Sequence, residues 1–200
     1  RIYLIIETMK EYKIIEPGPE GYYLDTYQGY DDDWELVEGY SLSSDWPDDV
    51  SISARDESGQ AVGSDSKSDF LRSVATGPII SEKVKDLLEA EGVEAEFLPV
   101  KVTDHKQKAL EGRYYVLNVL TTLNAIDLDK PAEPGDSVDA SQIELDGPLQ
   151  LDTSKIPDSA HLFRLEKYNI ILLASSELIE KLQDNGVSNV KITKLEDYSG

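Results

Sequence analysis

Ser81-Glu-Lys-Val-Lys-Asp-Leu-Leu-Glu-Ala-Glu-Gly92-Val93 and, ninety-four positions later, Ser175-Ser-Glu-Leu-Ile-Glu-Lys-Leu-Gln-Asp-Asn-Gly186-Val187 carry the same signal twice. In the first, Val84, Leu87 and Leu88 form an apolar stripe at helical spacing; in the second, Leu178, Ile179 and Leu182 do so. A serine stands where a side chain can cap the first turn, and a glycine where the backbone can turn left-handed to stop the helix. Each helix follows a β-like run, Pro78-Ile79-Ile80 or Ile170–Leu173. Each also precedes another, Glu96–Val102 or Val190–Leu195. Two strand–helix–strand units are therefore expected. Shared ancestry and chance are both open explanations of the likeness, because serine, helix and glycine is a common way to build any helix.

Outward from these units the chain reads mostly as strands. Tyr114–Leu120, Leu149–Leu151 and His161–Glu166 are β-like, with Lys167-Tyr168-Asn169 as a turn into Ile170–Leu173. Asp127–Gly147 is rich in Asp, Pro, Gly and Ser and suits a long surface connection. Before residue 75 the texture changes: seven of the 11 tyrosines and both tryptophans lie before residue 50, among acids and turn formers. Short strands are expected there at Ile2–Glu7, Tyr22–Tyr27, Trp34–Val37 and Val50–Ala54. An exposed loop is expected at Asp56–Ser68 and a short helix at Asp69–Val74. The fold class is α+β: a mixed or antiparallel sheet with a few covering helices and a β-rich amino-terminal part. Residues 1–75 are read as that acidic, aromatic part and 76–200 as the part holding the two helix units.

Composition narrows the function. The 200 residues carry 40 acids against 19 basic side chains, a formal charge of −21, and no cysteine. Nucleic-acid binding needs a basic stripe to neutralise phosphates, and an anionic membrane would repel such a chain. Without cysteine there are no disulfides, thiolate nucleophiles, iron–sulfur clusters or cysteine zinc sites. The longest apolar runs, Ile2–Ile6 and Ile170–Ala174, are five residues each, too short for a membrane span or a leader core. A cytoplasmic location is expected.

Catalytic motifs are weak. His105 sits in a polar loop sequence and His161 at the start of a strand, where packing or capping accounts for it. Neither belongs to an HExxH arrangement. Asp31–Glu35 and Asp127–Glu133 offer oxygen ligands without EF-hand spacing, so solvated turns are expected and no metal or cofactor. Two prolines and two carboxylates in Glu16–Gly21 disfavour a phosphate cradle. Arg164, between Phe163 and Leu165, is expected on a polar face, paired with Glu166 or Glu144; the other reading is an anchor for a carboxylate or a partner.

What remains is aromatic residues set among carboxylates: Tyr30, Asp31, Asp32, Asp33, Trp34 and Glu35, then Trp46, Asp48 and Asp49. Tyrosine and tryptophan dominate interface hot spots, and complementary charge speeds association. These nine residues are the candidate partner-binding set, for a partner with a basic surface. Two other readings stay open: the rings are core residues of a small β layer, or two of the acids form the catalytic pair of a small hydrolase or sugar-processing enzyme. Adaptation to salt is a further source of acidity, opposed by fourteen lysines against five arginines.

The carboxyl-terminal segments also carry a family likeness. Gly77 to Glu89, Gly92, Glu96–Val102, Tyr114–Leu120, Ala125-Ile-Asp127, His161–Leu165 and Ser176-Glu-Leu follow one another in an order that resembles immunity family 11 of bacterial polymorphic toxin systems. The resemblance implies a non-enzymatic protein encoded beside a toxin, which binds and blocks that toxin in the producing cell. It supplies no catalytic or toxin-binding residues to carry over.

Overall fold

A computed structural model describes residues 10–55, 68–127 and 148–198. The strand expected at Ile2–Glu7, the loop over 56–67 and nearly all of the connection Asp127–Gly147 lie outside the described residues.

Both helices form where their caps place them. α1 (Glu82–Ala90) opens on Ser81, whose hydroxyl accepts from the Val84 N–H, and α2 (Ser176–Asp184) on Ser175, which accepts from Leu178. Gly92 and Gly186, at φ +68° and +60°, end them. Each helix is short, so its stability comes from the face it buries. Val84, Leu88, Leu178, Ile179 and Leu182 share one core with Ile80, Leu117, Ile15, Leu172 and Ala174. Each fully buried leucine there contributes about 2 kcal/mol of apolar transfer.

Those partners come from two different sheets. The strands are β1 (Tyr12–Pro17), β2 (Tyr23–Leu24), β3 (Ser51–Ser53), β4 (Phe70–Ser73), β5 (Ile79–Ser81), β6 (Ala95–Thr103), β7 (Tyr114–Val119), β8 (Thr122–Leu123), β9 (Leu162–Leu165), β10 (Tyr168–Ser175) and β11 (Val190–Thr193). One sheet runs β2-β4-β5-β7-β6-β3 and the other β11-β1-β10-β9-β8. The protein is α+β, as expected, with its strands divided between two mixed sheets and the helices packed on inner residues of both. In the first sheet β5 and β6 flank β7, antiparallel to it; in the second β10 and β11 flank β1 in the same way. Both strand–helix–strand units thus return parallel, with one antiparallel strand held between. Strand pairing crosses residue 75: β1 lies between β10 and β11, and β4 pairs with β5.

Three local expectations are corrected. Asp69–Val74 is not helical; Phe70 and Leu71 pair with Ile80 and Ile79, and that ladder outweighs local propensity. Trp34–Val37 is not a strand but lies in a 3-10 turn over Asp33–Val37, burying Leu36 and Val37. The turn between β9 and β10 is tighter than expected, because Tyr168 already pairs with Leu165.

Candidate partner-binding surface

The segment between β2 and β4 holds the whole candidate set, and it is pinned down at several places. Glu96 on β6 accepts from the Leu42 N–H at 2.7 Å, the Ser41 hydroxyl at 2.6 Å and the Asn118 amide at 3.0 Å, and also from the Ser43 hydroxyl. Burial alone would push the Glu96 carboxyl up; these bonds more than reverse it and hold it at about 2. Asn118 on β7, fully buried, also donates to the Tyr40 carbonyl at 2.8 Å. The Thr76 N–H donates to Asp33 at 2.7 Å, anchoring the 3-10 turn beside Gly77. Gly77 sits at φ +86°, where a Cβ would stand 3.2 Å from Val116.

Arg164 corrects its expectation. It is buried, with 1% of its surface exposed, and does not face solvent. All four residues of β9 are buried, so alternation along that strand marks no polar face. Its guanidinium donates to the Asn169 carbonyl at 2.5 Å and to the Leu36 carbonyl at 3.1 Å. Burial lowers its pKa to about 10, so it stays charged at neutral pH. Together with Asn118 it braces the acidic segment through backbone carbonyls. No local sequence signal reveals that role.

Ring packing joins the two halves of the candidate set. Tyr30 and Trp46 pack at a tilt of 47° with ring centroids 4.6 Å apart, and Tyr27 meets Trp46 edge-on at 6.2 Å. The Trp46 indole donates to the Pro99 carbonyl at 2.9 Å, and the Tyr30 hydroxyl to Glu35 at 2.7 Å. The structure thus packs Tyr30 against Trp46 and bonds Glu35 to Tyr30; Asp31, Asp32, Asp33 and Trp34 follow Tyr30 along the chain, as Asp48 and Asp49 follow Trp46. The rings divide by role: Tyr30 and Trp46 pack on the core, whereas Trp34 is 54% exposed. Tyr40, which belongs to the same segment but not to the candidate set, is 58% exposed.

Charge in this segment is one-sided. From Ile14 to Ala54 there are eleven carboxylates and no basic residue. Asp31, Asp32, Asp48 and Asp49 are exposed, and no ion pair to any of them is found among the described residues. Acid catalysis needs a carboxyl with a raised pKa; Glu96, in the cleft of about 480 Å³ beside Trp46, is shifted the opposite way.

The histidines take structural places. His105 is exposed in the turn after β6. His161 Nδ1 lies 3.1 Å from the Ser175 hydroxyl and 3.5 Å from Glu177. This superficially suggests a triad, but Ser175 is buried and its oxygen is already capping α2.

Among the described residues no helix is long and apolar enough to cross a membrane. The model of the Imm11 immunity protein family matches residues 9–197, and the chain belongs to that family. The match reaches through the amino-terminal part as well as the carboxyl-terminal segments whose order resembled it. No curated protein matches the chain.

Proposed function

We propose that this protein neutralises a cognate bacterial toxin by binding and occluding it, without catalysis, in the cytoplasm of the producing cell. The contact surface is the segment from Tyr30 to Asp49, and the partner presents a basic face, such as the nucleic-acid cleft of a toxin that acts on DNA or RNA. One observation carries the reading: the exposed Trp34 follows Asp31 and Asp32, which are exposed and have no ion pair among the described residues, on a segment held by Glu96, Asn118 and Arg164. Preorganised aromatic anchors lose little entropy on docking, and carboxylates without internal partners steer a cation-rich surface.

Co-expression with the neighbouring toxin gene, with and without this protein, tests the function. Survival that does not depend on this protein refutes it. The surface is tested separately, by titrating the purified toxin against Trp34→Ala and against Asp31→Asn/Asp32→Asn. Trp34→Ala is expected to weaken binding about 30-fold or more, the effect of losing a hot-spot ring. The paired Asp variant should mainly slow association and reduce its salt dependence. Unchanged binding in both variants places the contact elsewhere while leaving the immunity function standing.

A further inference from the structure

Strand by strand, the two sheets are built alike. We infer that the chain is two copies of one strand–helix unit fused in tandem, and that each copy completes the other's sheet with its own first strand. The first unit runs β1, β2, β4, β5, α1, β6 and the second β7, β8, β9, β10, α2, β11. The order β8-β9-β10-β1-β11 of one sheet repeats β2-β4-β5-β7-β6 of the other, place for place. Directions match too: β2 with β4 and β8 with β9 are parallel and the other pairs within these five places antiparallel, while β3, parallel to β6, is a sixth strand without a counterpart.

The correspondence extends to register. Ser81 lies opposite Tyr114, and Ser175 opposite Tyr12; Ile79 faces Val116, and Leu173 faces Ile14. The cross-strand pair Glu96 and Asn118 has its counterpart in Lys191 and Glu16. Long-range backbone bonds repeat as well. Ser81 and Ser175 donate to Asp69 and His161, each at 2.9 Å. Glu82 and Ser176 donate to Arg113 and Glu11, at 3.0 and 2.9 Å. Leu120 and Gly18 donate to Glu94 and Asn189, at 3.1 and 2.7 Å. A capped helix ending in glycine requires none of these bonds, so chance likeness of two helices does not produce them.

The first strands are exchanged. β1 fills the place between β10 and β11, and β7 the place between β5 and β6. Contacts are reciprocal, since β7 touches β9 and β1 touches β4, as in a two-fold dimer with swapped strands. Each slot accepts Tyr-x-aliphatic-aliphatic: Tyr12, Ile14 and Ile15 are buried in one, and Tyr114, Val116 and Leu117 in the other. The units differ mainly in what they insert before β4 and β9, and the acidic segment belongs to the first insertion alone.

The test uses the full chain. One variant trades Lys13-Ile14-Ile15 with Tyr115-Val116-Leu117. A control sets the same two exchanged tripeptides down one residue late, Tyr-Val-Leu over positions 14–16 and Lys-Ile-Ile over positions 116–118, which turns the apolar pair to the wrong faces. The trade should keep one cooperative transition within about 10 °C of the parent, and the control should lose it. Loss of cooperative unfolding in the trade overturns the equivalence, as does a control that melts like the trade. A second measurement cuts the folded chain at a protease site placed at Glu111–Gly112. The fragments should co-elute as one species of 22.3 kDa and, once parted in denaturant, regain native circular dichroism only when mixed. Fragments that separate in native buffer overturn the strand exchange.

Discussion

Glu96→Gln is the most informative single change. It keeps the side-chain shape but replaces one acceptor oxygen by a donor, opposite an array of donors. Oε2 takes the Leu42 N–H at 2.7 Å and the Asn118 amide at 3.0 Å; Oε1 takes the Ser41 hydroxyl at 2.6 Å and the Ser43 hydroxyl. A carboxyl brought down to about 2 corresponds to a ceiling of about 3 kcal/mol of folding stability at neutral pH. The side chain is partly exposed, so solvent screening brings the expected loss to about 1–2 kcal/mol. In a chain of this size that lowers the midpoint by about 2–8 °C. The pH dependence carries the sign. A carboxyl whose folded pKa is depressed stabilises above its unfolded pKa, and that contribution is lost as pH falls through the folded value. The gap between parent and variant should therefore be full at pH 7, about half near pH 3 and nearly closed by pH 2. Thermal melts from pH 7 to pH 2, followed by circular dichroism and tryptophan fluorescence, measure it. A gap that is the same at pH 3 as at pH 7 would show that packing, not charge, is responsible. No gap at pH 7 would refute Glu96 as the anchor of the acidic segment.

Three further outcomes are expected. Asp69 accepts from the Ser81 hydroxyl at 2.7 Å, the Ser188 N–H at 2.9 Å and the Lys83 ammonium at 3.2 Å; burial opposes its charge, but these bonds hold its carboxyl below the usual range. Asp69→Asn should cost about 2 kcal/mol in urea melts at pH 7, with the gap shrinking in acid by the same sign rule. Arg164→Lys, with one ammonium in place of a fork, should reach only one of the two carbonyls and cost about 1–2 kcal/mol, and faster hydrogen exchange over Asp33–Val37 should accompany it. Gly77→Ala should destabilise by about 1–3 kcal/mol, since it combines a positive φ with a close contact to Val116; an unchanged midpoint would contradict the geometry.

Much of the fold was legible because its signals are local. Ser81, Gly92, Ser175 and Gly186 mark helix ends by what their own backbone and side chains can do, and those helices form within a residue of the reading. The candidate surface was legible in part, since clustering of Trp34 and Trp46 with carboxylates is visible in composition. Which ring is free was not, because Trp46 is held by Pro99, fifty-three residues away in sequence. Asp69–Val74 failed as a helix for the same kind of reason: its six residues carry no decisive period, and the neighbouring strand β5 chose the outcome.

The sequence by itself determined the acidity, the absence of thiol chemistry, the two capped helices and the α+β class, because each follows from residue chemistry or short-range periodicity. Only the tertiary structure decided that the strands divide into two sheets, that β1 and β7 trade places, and that a buried Arg164 and Asn118 brace the acidic segment. Those features depend on hydrogen bonds and burial between residues that lie from a few dozen to well over a hundred positions apart, and no local pattern encodes which distant strand will satisfy an edge.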